Sequence, residues 1–205
     1  MPRRKLLFLD FETGGIESEI HAVCSLGAVV VHEGFIDETY YSVINDPEGV
    51  VTTEDVGDIR AASVTHGLSP EHRAEGKSPG QVVEDLEQLF MRHDMRLPRK
   101  VTLGGHHTQF DIGFLKRLYR LAKADYSARY ERRFIDTMAG AYCLEQAGRI
   151  ETYGEPSLVN VCKAMGVTLN REGVHNALED AVASAKVWGK MVAMIRHTEI
   201  PAHPL

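Results

Sequence analysis

Short apolar runs separated by turn residues mark the first third of the chain. Leu6–Leu9 is continuously apolar, which indicates a strand buried on both faces. Val23–Val31 is apolar and rich in β-branched residues, and Phe35–Ile44 is rich in aromatic residues with rough alternation. Because His32, Glu33 and Gly34 separate these two runs, they predict a hairpin. The pattern therefore predicts three consecutive strands, followed by a loop over residues 45–58.

The remaining two thirds of the chain alternate short apolar runs with segments of helical periodicity. Two more strands are predicted, at Val101–Leu103 and Phe134–Ile135. Helices are predicted over Gly80–Arg92, Gln109–Leu121, Thr137–Ala147, Ser157–Met165 and Ala177–Ile195. A hairpin followed by alternating strands and helices predicts an α/β domain with a five-stranded mixed sheet flanked by helices. No linker or repeat interrupts the pattern, so we expect a single domain over residues 1–205.

Composition narrows the class of protein. The chain has 205 residues and 43% hydrophobic composition, enough for one full core. Its three cysteines lie far apart and favour neither a disulfide framework nor a zinc site. The run Leu6–Leu9 is too short for a signal peptide, and no stretch is long enough to cross a membrane. We therefore expect a cytoplasmic protein with no membrane partner.

Charge is distributed unevenly along the chain. The formal net charge is −6, but residues 92–133 hold eleven Lys or Arg against four acidic residues, a local charge of +7. The rest of the chain therefore carries −13. Such a basic segment is consistent with a surface that binds a polyanion, and equally with solvated helix faces. The sequence alone leaves both interpretations open.

Four carboxylates stand at points where a predicted strand ends or a helix begins. Asp10 and Glu12 follow a buried run and, two residues apart on a strand, face the same side. Asp111 and Asp180 lie in the first turns of predicted helices. Acidic residues are common there because the helix dipole favours them, so each taken singly has an ordinary explanation.

Taken together, the four carboxylates predict a metal site. They come from three separated segments and offer the oxygen ligands that a pair of divalent cations prefers. Two such ions hold a phosphodiester and lower the pKa of a bound water. His175, five residues before Asp180, is available to accept the proton of that water. The combination predicts phosphodiester hydrolysis.

Three motifs carry a resemblance to a known family. DFET at residues 10–13, FDIGFL at 110–115 and HNALED at 175–180 resemble, in order and separation, the motifs of the DEDDh 3′→5′ exonucleases. The resemblance covers roughly residues 6–195 and implies the ribonuclease H-like exonuclease fold. It also implies two divalent cations, Mg²⁺ or Mn²⁺, and release of nucleoside monophosphates from single-stranded 3′ ends. It assigns Asp10, Glu12, Asp111 and Asp180 as metal ligands and His175 as general base.

Five further positions are candidates for substrate binding by the same resemblance. Thr13 and Gly14 follow the first motif, where glycine permits close approach of a nucleotide; an ordinary strand-ending turn is the alternative. Residues 63–68 read SVTHGL and offer His66 and Leu68 to the terminal base, although a helix ended by Gly67 would have the same sequence.

The second motif departs from the family. His107 stands where the family usually has an asparagine that holds substrate or the local turn, which leaves substrate preference open. Asp136 also occupies a family-like position, and we expect it to cap the helix that follows.

The main hypothesis is a metal-dependent exonuclease acting on single strands, with DNA slightly favoured over RNA. An RNA-processing exoribonuclease, an endonuclease, and a non-catalytic nucleic-acid-binding or adaptor protein are the alternatives. All five catalytic positions are present, which argues against the non-catalytic alternative. A polymerase or a second copy of the chain remains open as a protein partner.

Overall fold

The computed structural model describes residues 4–54, 61–95, 97–169 and 175–196. They form the predicted five-stranded mixed sheet, in the order β3-β2-β1-β4-β5. The strands are β1 (Leu6–Thr13), β2 (Val23–His32), β3 (Phe35–Val43), β4 (Val101–Gly105) and β5 (Tyr130–Asp136). β1, β2 and β3 pair antiparallel, whereas β4 pairs parallel with both β1 and β5. Residues 55–58, the end of the predicted loop, lie outside the described residues.

Eight helices lie within the described residues. They are α1 (Ala62–His66), α2 (Pro70–Ala74), α3 (Pro79–Arg92), α4 (Thr108–Leu121), α5 (Tyr126–Arg129), α6 (Thr137–Gln146), α7 (Leu158–Ala164) and α8 (Ala177–Arg196). The five predicted helices are confirmed to within one residue at each end. The helices α1, α2 and α5 were not predicted, because they are too short for a helical period to be recognised in the sequence. None of the described helices is both long and apolar enough to cross a bilayer.

The strand β1 lies in the centre of the sheet and packs on both faces. Leu7, Leu9 and Phe11 join the larger core with α3 and α4. Phe8 points to the other face, where it joins a cluster that includes Ala181 of α8. Because side chains alternate along a strand, Asp10 and Glu12 share the α8 face with Phe8.

The strands β4 and β5 are longer than the sequence predicted. β4 continues through Gly104 and Gly105, which pair with Ile135 and Asp136 of β5. Glycine fits at position 104 because a Cβ atom there would lie 2.7 Å from the ring of Phe8. β5 begins at Tyr130 and includes charged residues, which an edge strand tolerates because they remain exposed.

The parallel strands place several chain segments at one edge of the sheet. β1, β4 and β5 are parallel, so their carboxyl ends lie together, and α4 follows directly after β4. Functional sites of open α/β sheets gather at this edge.

Candidate active site

An open pocket of about 320 Å³ lies at the carboxyl ends of these strands. Four of the five predicted catalytic residues and two predicted substrate residues line it: Asp10, Glu12, His175 and Asp180, with Thr13 and His66. Among the described residues, the other predicted positions, Asp111, Gly14, Leu68 and His107, lie outside the pocket lining. His106 and Phe110 line it in addition, although the sequence analysis assigned neither to the site.

The tightest group in the pocket consists of Glu12, His175 and Asp180. One ligand atom from each lies within 4.8 Å of the others. Both carboxylates are buried, with residue exposures of 6% for Glu12 and 4% for Asp180, whereas His175 remains partly exposed. Buried carboxylates facing one another with an imidazole beside them form a donor set that fits a divalent cation.

The first turn of α8 places Asp180 in this group. Asn176 caps the helix, because its Oδ1 accepts hydrogen bonds from the N–H groups of Leu178 and Glu179 at 3.0 and 3.3 Å. The carboxylate of Asp180 thereby lies on the buried side of the helix, facing β1.

A glycine in β2 leaves space for the first turn of α8. Gly27 lies directly across from Asp10 in the β1–β2 ladder. A Cβ atom on Gly27 would lie 2.3 Å from the backbone of Ala177, so a side chain there would displace α8. The sequence analysis missed this residue, although an isolated glycine inside an otherwise apolar strand is a signal of close backbone approach.

Asp111 lies behind the pocket and holds α4 against β1. Its residue exposure is 2%, and its Oδ1 accepts a hydrogen bond from the backbone N–H of Phe11 at 3.1 Å. Burial raises the pKa of this carboxyl group well above its usual range, and the charges of Asp136 and Glu12 raise it further. A cation bound beside Asp111 would offset that penalty, which fits the predicted ligand role.

Asp136 positions the beginning of α4. It caps α6, as predicted, through the N–H groups of Met138 and Ala139. Its carboxylate also accepts hydrogen bonds from the N–H groups of His107 and Thr108 at 3.2 and 3.0 Å. One carboxylate therefore satisfies the amino-terminal groups of two helices and holds the turn that carries Asp111.

His107 has a left-handed backbone conformation, with φ of 63°. Asparagine, aspartate and histidine enter this region more readily than other non-glycine residues, so histidine is compatible with this turn. The His107 side chain makes no capping hydrogen bond; it stacks on Phe110, with ring centroids 6.1 Å apart and an angle of 22° between the rings. Contact between His107 and substrate stays a prediction.

His66 is buried at the side of the pocket, with an exposure of 4%. Its Nδ1 accepts a hydrogen bond from the Leu68 N–H at 3.0 Å, so in the neutral ring Nε2 carries the hydrogen. Burial lowers the pKa of His66 to about 4, which keeps the ring neutral. Nε2 is buried and has no hydrogen-bond partner among the described residues. Gly67 also ends α1 in a left-handed conformation, so the helix-end interpretation is confirmed alongside the pocket position.

Thr13 and Gly14 form the turn after β1. The Thr13 hydroxyl donates a hydrogen bond to the carbonyl of Gly15 at 2.7 Å. A Cβ atom on Gly14 would lie 2.1 Å from the carbonyl oxygen of Val50. Glycine is therefore required at position 14 by contact with the chain's own backbone, a reason different from the nucleotide contact expected from the sequence. Contact between Gly14 and substrate stays a prediction.

A family comparison agrees with this geometry. The family model described as exonuclease, RNase_T, matches residues 7–188. The chain belongs to this exonuclease family. Members are hydrolases that act on nucleic acids, so the pocket is the candidate active site of an exonuclease domain.

Solved structures share the fold of the exonuclease domain. The nuclease domain of 3′hExo, a DEDDh family member bound to rAMP, has a TM-score of 0.70 at 14% identity, over 93% of this chain and 92% of that one. Exonuclease I of E. coli in complex with a dT13 oligonucleotide has a TM-score of 0.69 at 16% identity, over 95% of this chain and 43% of that one. The predicted ribonuclease H-like exonuclease fold is confirmed.

Two related DNA polymerases are much longer than this chain. The DNA polymerase III PolC-type proteins of Thermotoga petrophila and Thermotoga maritima are 27% and 28% identical over 188 residues. These matches cover 92% of this chain and only 12% of either polymerase. The exonuclease domain thus corresponds to a small part of those relatives.

Proposed function

We propose that the exonuclease domain is a metal-dependent 3′→5′ exonuclease that releases nucleoside monophosphates from single-stranded nucleic acid. The observation that carries this proposal is the group of Glu12, His175 and Asp180, with ligand atoms within 4.8 Å, beside Asp10 in one pocket. The pocket is open on one side, so a terminal nucleotide can enter when its base is unstacked.

The ligands in this proposal are Asp10, Glu12, Asp111 and Asp180. They would hold two divalent cations, Mg²⁺ or Mn²⁺, which when bound supply Lewis-acid stabilisation of the phosphodiester and of the leaving oxygen. The donor set fits such ions because it consists of carboxylates, three of them with residue exposures of 6% or less.

His175 is the general base in this proposal. It accepts the proton of the water that attacks the terminal phosphodiester, and the 3′ oxygen of the next nucleotide leaves. The backbone N–H of His175 donates to the carbonyl of Thr65 at 2.9 Å, which joins the entry to α8 to α1. His66 on α1 lines the same pocket and is suited to orient the terminal nucleotide.

We place DNA slightly ahead of RNA as substrate, because the two PolC-type relatives are DNA polymerases and Exonuclease I was solved with dT13. An RNA substrate is the second candidate, supported by the solved complex of 3′hExo with rAMP. The same relatives support a polymerase as protein partner, and a second copy of the chain is the alternative.

The test uses 5′-labelled single-stranded DNA and RNA with Mg²⁺ or Mn²⁺. We expect a ladder that shortens from the 3′ end and disappears with EDTA. Asp180→Asn should abolish it, whereas Glu179→Gln should not, because Glu179 is an exposed acidic residue of the same helical turn. Internal cuts would indicate an endonuclease, and binding without cleavage would indicate a non-catalytic protein.

A further inference from the structure

The basic residues of segment 92–133 fall into two groups in the structure. Several of the segment's arginines form ion pairs with acidic side chains, either inside the fold or at its surface. Arg117 is buried and makes a two-point ion pair with Asp46, at 2.7 and 3.1 Å. Arg92, Arg120 and Arg129 pair with Glu38, Glu19 and Glu87, respectively. The paired carboxylates reduce the positive charge that these arginines offer to a polyanion.

Other basic side chains of the segment line a groove between α4 and β5. The groove has a volume of about 460 Å³, and we call it the α4–β5 groove. Its lining includes Lys100, Gln109, Lys116, Tyr126, Arg132 and Phe134. Within the part of the chain that the structure describes, Lys100, Lys116 and Arg132 have no acidic partner within 4.0 Å. Glu131, the acidic residue of the lining, lies 3.6 Å from Arg4.

The α4–β5 groove begins next to the catalytic pocket. Phe110 lines the pocket, and the exposed His107 ring stacks on it. Gln109, between them in sequence, is already part of the groove. Lys116 follows seven residues later on α4, about 10 Å further from the catalytic edge. The pocket and the groove are therefore successive parts of one surface.

The lining of the groove suits a flexible polyanion with flat bases. Lys116 and Arg132 are exposed cations, and the Lys116 Nζ lies 5.6 Å from the ring centre of Tyr126. Phe134 is 38% exposed and lines the groove together with Arg132. Proteins that bind single strands combine cationic grooves with such aromatic surfaces.

We propose that the α4–β5 groove binds the part of the single strand that lies 5′ of the nucleotides in the pocket. This inference rests on the proposed exonuclease function, since it assigns the path of that substrate. The groove increases affinity for long strands and makes no contact with the reacting phosphodiester.

The test is a neutralising double variant, Lys116→Gln with Arg132→Gln. The matched control is Arg133→Gln with Lys186→Gln: both are exposed, Arg133 follows Arg132 on the other face of β5, and Lys186 lies on α8. Binding of a labelled dT12 strand is measured by fluorescence anisotropy in EDTA at several salt concentrations. Turnover is measured in Mn²⁺ on dT12 and on thymidine 5′-p-nitrophenyl phosphate, a small ester that cannot reach the groove.

We expect the groove variant to bind dT12 at least 5-fold more weakly and to reduce the salt slope by about 1.4, the loss of two phosphate contacts. Its turnover of the small ester should match the unmodified protein. Equal weakening in groove and control variants would overturn the groove assignment, as would unchanged binding in both. If the unmodified protein hydrolyses neither substrate, the proposed function fails, and the anisotropy comparison still decides whether the groove binds single strands. Circular dichroism melting confirms that all variants are folded.

Discussion

The backbone N–H of Phe11 donates a hydrogen bond to the buried carboxylate of Asp111 at 3.1 Å. Phe11 stands between Asp10 and Glu12, so this bond fixes α4 to the strand segment that carries two of the four proposed ligands. The hydrogen bond therefore ties the carboxylate of Asp111 to the segment that carries the other two. Such a rigid arrangement lowers the reorganisation required when cations bind.

Asp111→Asn should separate metal binding from stability. Burial raises the pKa of the Asp111 carboxyl group, so the folded protein retains a proton that the unfolded chain loses above about pH 3.9. The metal-free protein therefore loses stability as pH rises above that value. We expect Asp111→Asn to be more stable than the unmodified protein in EDTA at pH 7, with a flatter pH profile. Thermal unfolding at pH 5–8 tests this.

Addition of Mg²⁺ completes the Asp111 experiment. It should raise the melting temperature of the unmodified protein and leave that of Asp111→Asn nearly unchanged, because ligand binding stabilises only a protein that retains its ligands. A variant that is less stable in EDTA at pH 7, or that gains as much from Mg²⁺, would contradict the assignment.

His175→Ala should retain cation binding and lose turnover. General bases contribute about 10²–10⁴-fold to rates, so we expect a loss of that size in kcat. Mn²⁺ titration calorimetry and single-turnover assays measure the two properties separately. The control is His72→Ala, an exposed histidine of α2, which should change neither. Loss of Mn²⁺ affinity in His175→Ala would instead make His175 a metal ligand.

Gly27→Ala should disturb the candidate active site, although Gly27 does not line the pocket. The added methyl group would lie 2.3 Å from the backbone of Ala177 and would displace the first turn of α8 together with Asp180. We expect a loss of about 1–3 kcal/mol in the free energy of unfolding, typical of overpacking, and a clear loss of activity. Gly80→Ala is the control, since a Cβ atom there has nothing within 4 Å. Equal stability of the two variants in urea would refute the proposed close contact.

His66→Phe should weaken substrate binding more than it slows chemistry. The substitution keeps the ring and removes the Nε2 donor, so we expect KM to rise about 2- to 10-fold, the value of one neutral hydrogen bond. Leu68→Ala, which leaves the donor in place, should affect KM less. A His66→Phe variant with unchanged KM and lowered kcat would argue against the positioning role.

The long elements could be predicted because local signals and tertiary packing agree. Ser78 and Gln81 form the capping box that begins α3, one residue from the predicted start. β5 was largely missed because three consecutive residues near its beginning, Glu131 to Arg133, are charged. Their exposure depends on β5 being an edge strand, which no local pattern reveals.

The candidate site also has residues that could be predicted from the sequence and residues that could not. The motifs identified Asp10, Glu12, His175 and Asp180 in the pocket lining, because spacing along strands and helix starts fixes which side they face. They did not identify Gly27, whose function depends on a helix 150 residues further along the chain. They also suggested a nucleotide contact as the reason for Gly14, whereas the structure shows contact with the backbone of Val50. Such contacts between distant segments become visible only in three dimensions.

The left-handed turn at His107 separates the role of the backbone from that of the side chain. The backbone at position 107 helps to place Asp111. Its N–H and that of Thr108 donate hydrogen bonds to Asp136, and these bonds orient the start of α4. The His107 side chain is exposed beside the pocket and takes no part in that bonding. Residues that tolerate the same backbone conformation can therefore be exchanged at position 107 without loss of the hydrogen bonds that hold the start of α4.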